Sequence, residues 1–212
     1  MTRFIQTATL LGRNVAKCHV LSRKSAVPGA LYNRLAEMAA ENYGYLTTEE
    51  VEEAGIDPHR LLELARRGQI EHRARALYRM PLIPPTPLDA YREATLWPRG
   101  SEGVISHASA LDLYGLGDAN PARIHLTLPR AHRPRRQVPA QYVLHHEDLA
   151  PAEVRAYEGI PAVTPAKAIR QSGKLGPELL RGAIEDGLHQ GLLRQAEAED
   201  LRRELGLGSV GR

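Results

Sequence analysis

Only one cysteine, Cys18, occurs in the 212 residues. It excludes an intrachain disulfide and a thiolate metal cluster, and it suits a reducing cytoplasm. No apolar run approaches the roughly 20 residues needed to span a bilayer. A mean hydropathy of -0.37 and 42% hydrophobic residues fit a folded, water-soluble chain. Catalytic motifs are missing as well. There is no P-loop, GxGxxG, GxSxG elbow or paired-carboxylate pattern, so no catalytic residue is assigned and no cofactor is expected. Ser106 and Ser109 flank His107 but read as helix capping. His107, His125, His145 and His146 lack HExxH or comparable spacing, so no metal site is expected. Alternation along two strands makes His125 and His145 plain surface or edge residues.

Acid is absent before Glu37, whereas Arg3, Arg13, Lys17, Arg23, Lys24 and Arg34 precede it. Residues 1–27 therefore read as a disordered basic arm, as residues from a start codon placed too far upstream, or as a transit-like leader. The net charge is only +3, so charge matters through its distribution. Between Arg60 and Arg79, six arginines stand against Glu63 and Glu71. One basic region on a near-neutral chain points to a polyanion.

The pattern around that region predicts the fold. Leu31, Leu35, Met38 and Ala39 recur at helical spacing, and Gly44 ends the helix. "YL" forms a short strand. Thr47 and Glu50 make a capping box for a second helix, which Gly55 stops. Asp57 and Pro58 then start a third, running to Arg67 before Gly68. Leu61, Leu62, Leu64 and Ala65 take its inner face; His59, Arg60, Glu63, Arg66 and Arg67 take the outer. "QIEHRARALYRM" reads as a hairpin with Ile70, Leu77 and Tyr78 inward and Arg73 to Ala76 near its tip.

The expected fold class is α+β: an N-terminal winged helix-turn-helix over 28–80, a Pro-rich linker over 81–87, a mixed α/β domain over 88–205 and a tail over 206–212. In the second domain, Thr86 and Asp89 cap a helix to about Leu96. Ser106 caps another that Gly115 stops. "ARIHLTLP" and "QYVLHH" form strands, and Thr164 with Pro165 starts a helix followed by two more.

On this fold the outer face of the third helix enters the major groove, and hairpin arginines hold phosphate. The DNA-contact set is Thr47, Thr48, His59, Arg60, Glu63, Arg66, Arg67, Arg73, Arg75 and Arg79. Arg60 or Arg66 suits guanine, and Glu63 suits a cytosine amino group. The competing arrangement is a solvated face with a Glu63–Arg67 pair. Arg130, Arg133, Arg135 and Arg136 in "RAHRPRRQ" form a candidate second basic patch, for nucleic acid or an acidic protein, or simply a soluble turn.

"GYLTTEEVEEAGIDPHRLLELARRGQIEHRARALYRMP" resembles the winged helix-turn-helix of AbiEi-type antitoxins, the transcriptional regulators of type IV toxin–antitoxin systems. "GVISHASALDLYGLGDANPARIHLTLPR" and "GIPAVTPAKAI" are similar to that family's second domain. Together they cover most of 28–203. The resemblance implies binding of double-stranded promoter repeats, repression of its own operon, and action against a nucleotidyltransferase-like toxin. From the missing apolar run and the missing catalytic motifs, no membrane partner and no enzymatic activity are expected. The alternatives are a stand-alone regulator with a ligand- or partner-sensing domain, or a nuclease; the absence of a D…ExK pattern after Pro87 counts against the latter. One position departs from the family: Ala76 stands where a glycine is common. If the turn needs φ > 0 there, alanine costs on the order of 1 kcal/mol.

Overall fold

The computed structural model describes residues 29–208, so the basic arm expected over 1–27 and the last four tail residues lie outside the described part. The chain is a mixed α+β protein with two sheets. Most of its buried apolar residues fall into two clusters, one from Leu35 to Met80 and one from Ala94 to Leu207.

The first cluster is built by α1 (Ala30–Ala40), β1 (Tyr45–Thr47), α2 (Thr48–Glu53), α3 (His59–Arg66), β2 (Glu71–Ala74) and β3 (Leu77–Arg79). Leu35 and Ala39 bury the inner face of α1. The Thr47 hydroxyl accepts from the Glu50 amide while Glu50 accepts from the Thr47 amide, so the capping box is complete. Asp57 Oδ1 accepts the His59 amide at 2.9 Å and caps α3 in the same way. The strands pair antiparallel in the order β1-β3-β2.

Leu61 and Leu64 of α3 are buried, but Leu62 is 36% exposed. This corrects the expected inner set. Leu62 lies about 100° around the helix from Leu61, beyond the reach of a core that contacts so short a helix on one narrow stripe.

The segment between the two clusters is fastened rather than free-standing. Arg79 donates to Asp89 Oδ2 at 3.0 Å and to the Ile83 carbonyl at 3.0 Å. The other Asp89 oxygen accepts from the Thr86 amide and hydroxyl, closing the start of α4 (Asp89–Leu96).

The second cluster surrounds a five-stranded mixed sheet, ordered β6-β5-β4-β8-β7. Its strands are β4 (Val104–Ile105), β5 (Ile124–Leu128), β6 (Tyr142–His146), β7 (Val154–Tyr157) and β8 (Ile160–Val163). Helices α5 (His107–Tyr114), α6 (Pro165–Gln171), α7 (Pro177–His189) and α8 (Gln195–Glu204) complete it. Strands β5 and β6 and these helices match the expected pattern; β4 and the β7–β8 hairpin were not foreseen. The hairpin has a recognisable signal, a two-residue Glu158-Gly159 loop with both residues at positive φ. Two expected caps also differ: Ser106 and Thr164 occupy cap positions, but neither side chain bonds a helix amide.

Candidate nucleic-acid interface

The outer face of α3 is open to solvent. His59, Arg60, Arg66 and Arg67 are exposed and Glu63 is half-buried. Arg60 donates to Glu63 at 3.0 Å, so the glutamate turns back one helical turn and not forward to Arg67. This exposed i,i+3 pair is weak, worth a few tenths of a kcal/mol, and a phosphate can displace it. Arg66 and Arg67 make no ion pair among the described residues. They also lie where the negative end of the helix dipole needs positive charge.

The hairpin arginines separate into three roles. Arg79 is 9% exposed and bonded to Asp89. It is withdrawn from the DNA-contact set: a guanidinium held there cannot reach a phosphate without leaving a buried carboxylate unpaired. Arg73 extends to α4, where Glu93 meets it at 3.0 Å. Burial works to lower the Arg73 pKa, but the Glu93 charge and hydrogen bond outweigh it and raise it. The same Glu93 oxygen accepts from the Tyr45 hydroxyl, whose pKa is pushed up first by burial and then by that bond. Arg75, at the turn, is exposed and unpaired among the described residues.

Thr47 and Thr48 are also placed. The Thr47 hydroxyl is engaged in its capping box, and the Thr48 amide donates to the Ala76 carbonyl at 3.0 Å. Both are half-buried at the junction of α2 and the hairpin tip, so their structural duty is to hold the turn against the helix start.

Arg75 meets the second basic patch. A cleft of about 370 Å³ is lined by Arg75, Arg99, His132, Arg133, Pro134, Arg135 and Arg136, with no acidic side chain among the described residues of its wall. Arg136 stacks over Trp97 at 4.3 Å and donates to the Trp97 carbonyl. Its pKa is lowered by burial, then by the like charges of Arg75 and Arg99. Arg130 lies outside the cleft wall; its amide donates to Asp148. Arg99 was missed by sequence reasoning, since a lone arginine in "WPRGSEG" carries no pattern. Only the tertiary structure places it beside the hairpin, where it also reaches Glu49 at 3.7 Å.

With this geometry in place, comparison with known families is decisive for one stretch. Residues 33–81 match the family model described as transcriptional regulator, AbiEi antitoxin. The AbiEi match runs from within α1 through the hairpin, so it holds the exposed arginines of α3 and Arg75. No curated protein matches the chain. Among solved structures, the RV2827C protein from Mycobacterium tuberculosis is similar at 21% identity with a TM-score of 0.44, covering 81% of this chain and 70% of that one.

The histidines of the larger cluster require a correction. His125 and His145 are half-buried, not surface residues, and their ring nitrogens lie 3.0 Å apart. Strands β5 and β6 are parallel, with His125 opposite Val143. His145 is two positions further on and so shares the face. His107, at the start of α5, stacks on His145 with ring centroids 3.6 Å apart.

Proposed function

We propose that this chain is a DNA-binding transcriptional regulator and antitoxin whose N-terminal unit, α1 to β3, acts as a winged helix-turn-helix. In this reading α3 enters the major groove with His59, Arg60, Arg66 and Arg67, and the hairpin is the wing. Arg75 then carries the backbone contact into the cleft of Arg99, Arg133, Arg135 and Arg136, so both units grip one duplex. The observation that carries the proposal is that Arg66 and Arg67 on the outer face of α3, and Arg75 at the hairpin tip beside the 133–136 loop, are exposed and form no ion pair among the described residues. The AbiEi match supports the regulatory class. Operon repression, activity against a nucleotidyltransferase-like toxin, a non-enzymatic role and a cytoplasmic setting belong to the same proposal. Among the described residues no helix is long and apolar enough to cross a membrane.

The test is a gel shift on the DNA upstream of the gene across a salt series. Each phosphate contact adds about 0.9 to the slope of log affinity against log salt. Replacing Arg66 and Arg67 with alanine is expected to lower affinity and reduce the slope by about 1 to 2. Wild-type affinity in that double variant would sink the α3 assignment. Growth rescue from the neighbouring toxin by the full chain tests the antitoxin half; no rescue would remove it.

A further inference from the structure

The histidine cluster lies away from the arginine surface and plays no part in the DNA-binding proposal. The ligand-capable nitrogens of His107, His125 and His145 all lie within 4.8 Å of one another. Tetrahedral zinc with Zn–N bonds of 2.0–2.1 Å requires nitrogens about 3.3 Å apart. The 3.0 Å His125–His145 contact is already near that spacing, and His107, stacked on His145 at 3.6 Å, joins by turning its ring out of that stack. The rings come from three separate elements, so the tertiary fold assembles the set.

The surroundings prepare the ligands. The His107 Nδ1 lies 3.0 Å from the Oγ of Ser106, which is 0% exposed. This leaves Nε2 as the free ring nitrogen. Such an outer partner fixes the orientation of a metal-binding imidazole, and it explains why Ser106 does not cap α5. His107 also holds a left-handed backbone, φ 54°, strain of the kind that collects at functional positions. Its amide donates to Gln171 Oε1, and Gln171 in turn donates to Glu147.

The rings border a cavity of about 300 Å³ completed by Ala108, Gln171, Ser172, Lys174 and Leu175. The Oγ of Ser172, a residue 4% exposed, has no hydrogen-bond partner among the described residues. A buried polar atom left unpaired beside three imidazoles calls for a ligand. Burial holds the rings neutral, with His107 and His145 lowered to about 4 and His125 lowered as well.

We propose that His107, His125 and His145 form a binding site for one borderline divalent transition-metal ion of the zinc class, with its fourth coordination position open to the cavity beside Ser172. Three imidazoles and no carboxylate among the ligands favour zinc, cobalt, nickel or copper over magnesium or calcium. A bound ion ties the start of α5 to β5 and β6.

The experiment uses full-length protein without a polyhistidine tag, stripped by a chelator. Zn²⁺ is titrated in competition with a chromophoric chelator, and Co²⁺ is followed by its visible d–d absorption. One equivalent with the intense bands of a four-coordinate ion supports the site. His107→Gln and His145→Gln are each expected to weaken binding at least a hundredfold, and Ser106→Ala about tenfold. The exposed His189, at the end of α7, serves as control: His189→Ala should bind like wild type. Absence of saturable binding by wild type, or binding that survives both glutamine variants, overturns the proposal. If a variant fails to fold, wild type decides alone. Zn²⁺ must shift three histidine ring resonances together; shifts confined to other histidines overturn the site.

Discussion

Ala76 offers a direct measurement of how the hairpin turn is made. It sits at φ 66°, where a Cβ crowds the following carbonyl and costs about 1–2 kcal/mol. Its carbonyl accepts from Thr48 at 3.0 Å, so the turn cannot relax without breaking its tie to α2. Ala76→Gly removes the Cβ penalty and keeps the carbonyl. Against this, glycine widens the unfolded ensemble by about 0.4–1 kcal/mol. The net expectation is stabilisation by about 0.5–1 kcal/mol. For a chain of this size that raises Tm by about 1–4 °C, read by differential scanning calorimetry or circular dichroism. Ala76→Val, β-branched at the same φ, should lower Tm by more than the glycine raises it. A glycine variant that melts below wild type would refute the reasoning, because the left-handed strain would then have no energetic weight.

Arg79→Ala should destabilise by about 3 kcal/mol, since it leaves Asp89 buried and unpaired; urea unfolding measures it, and a loss under 1 kcal/mol would make the pair incidental. The salt slope of DNA binding should be unchanged in that variant, which separates Arg79 from Arg66 and Arg67. Gly117→Ala should cost about 3 kcal/mol, because φ is 68° and an added Cβ would lie 2.5 Å from the Leu179 carbonyl; an unchanged Tm would show that α7 can shift aside. The Glu153 carboxyl is held below its ordinary value by the Ala150 amide and then by Lys167, 2.9 Å away. Its contribution is therefore full above the ordinary carboxylate value and is lost as pH falls through the lowered one. Glu153→Gln should be less stable than wild type at pH 7 and lose less on acidification; parallel pH–stability curves would contradict this.

Much of the first unit was legible because its signals are local. Thr47 with Glu50, Asp57 before the third helix, and Gly68 after it act within one turn of chain, where backbone geometry and capping bonds decide. The hairpin tip was legible to within a few residues, and the positive φ at Ala76 was raised only as a condition, through the glycine common there in the family it resembles. The second unit was partly legible. Strands β5 and β6 alternate clearly, whereas two-residue β4 is too short to show a period. The cap at Ser106 was misread because its hydroxyl meets the His107 ring at 3.0 Å instead, and the sequence does not rank such partners; the Thr164 side chain makes no cap bond.

The sequence by itself determined where most helices start and stop and which side of α3 is basic. Those outcomes depend on neighbours three or four positions apart. Only the tertiary structure decided that Arg79 is a buried strut, that Arg75 joins Arg99 and the 133–136 loop, and that His107, His125 and His145 share a face. Each of these joins residues far apart in the chain, and such contacts follow from packing, which no local pattern specifies.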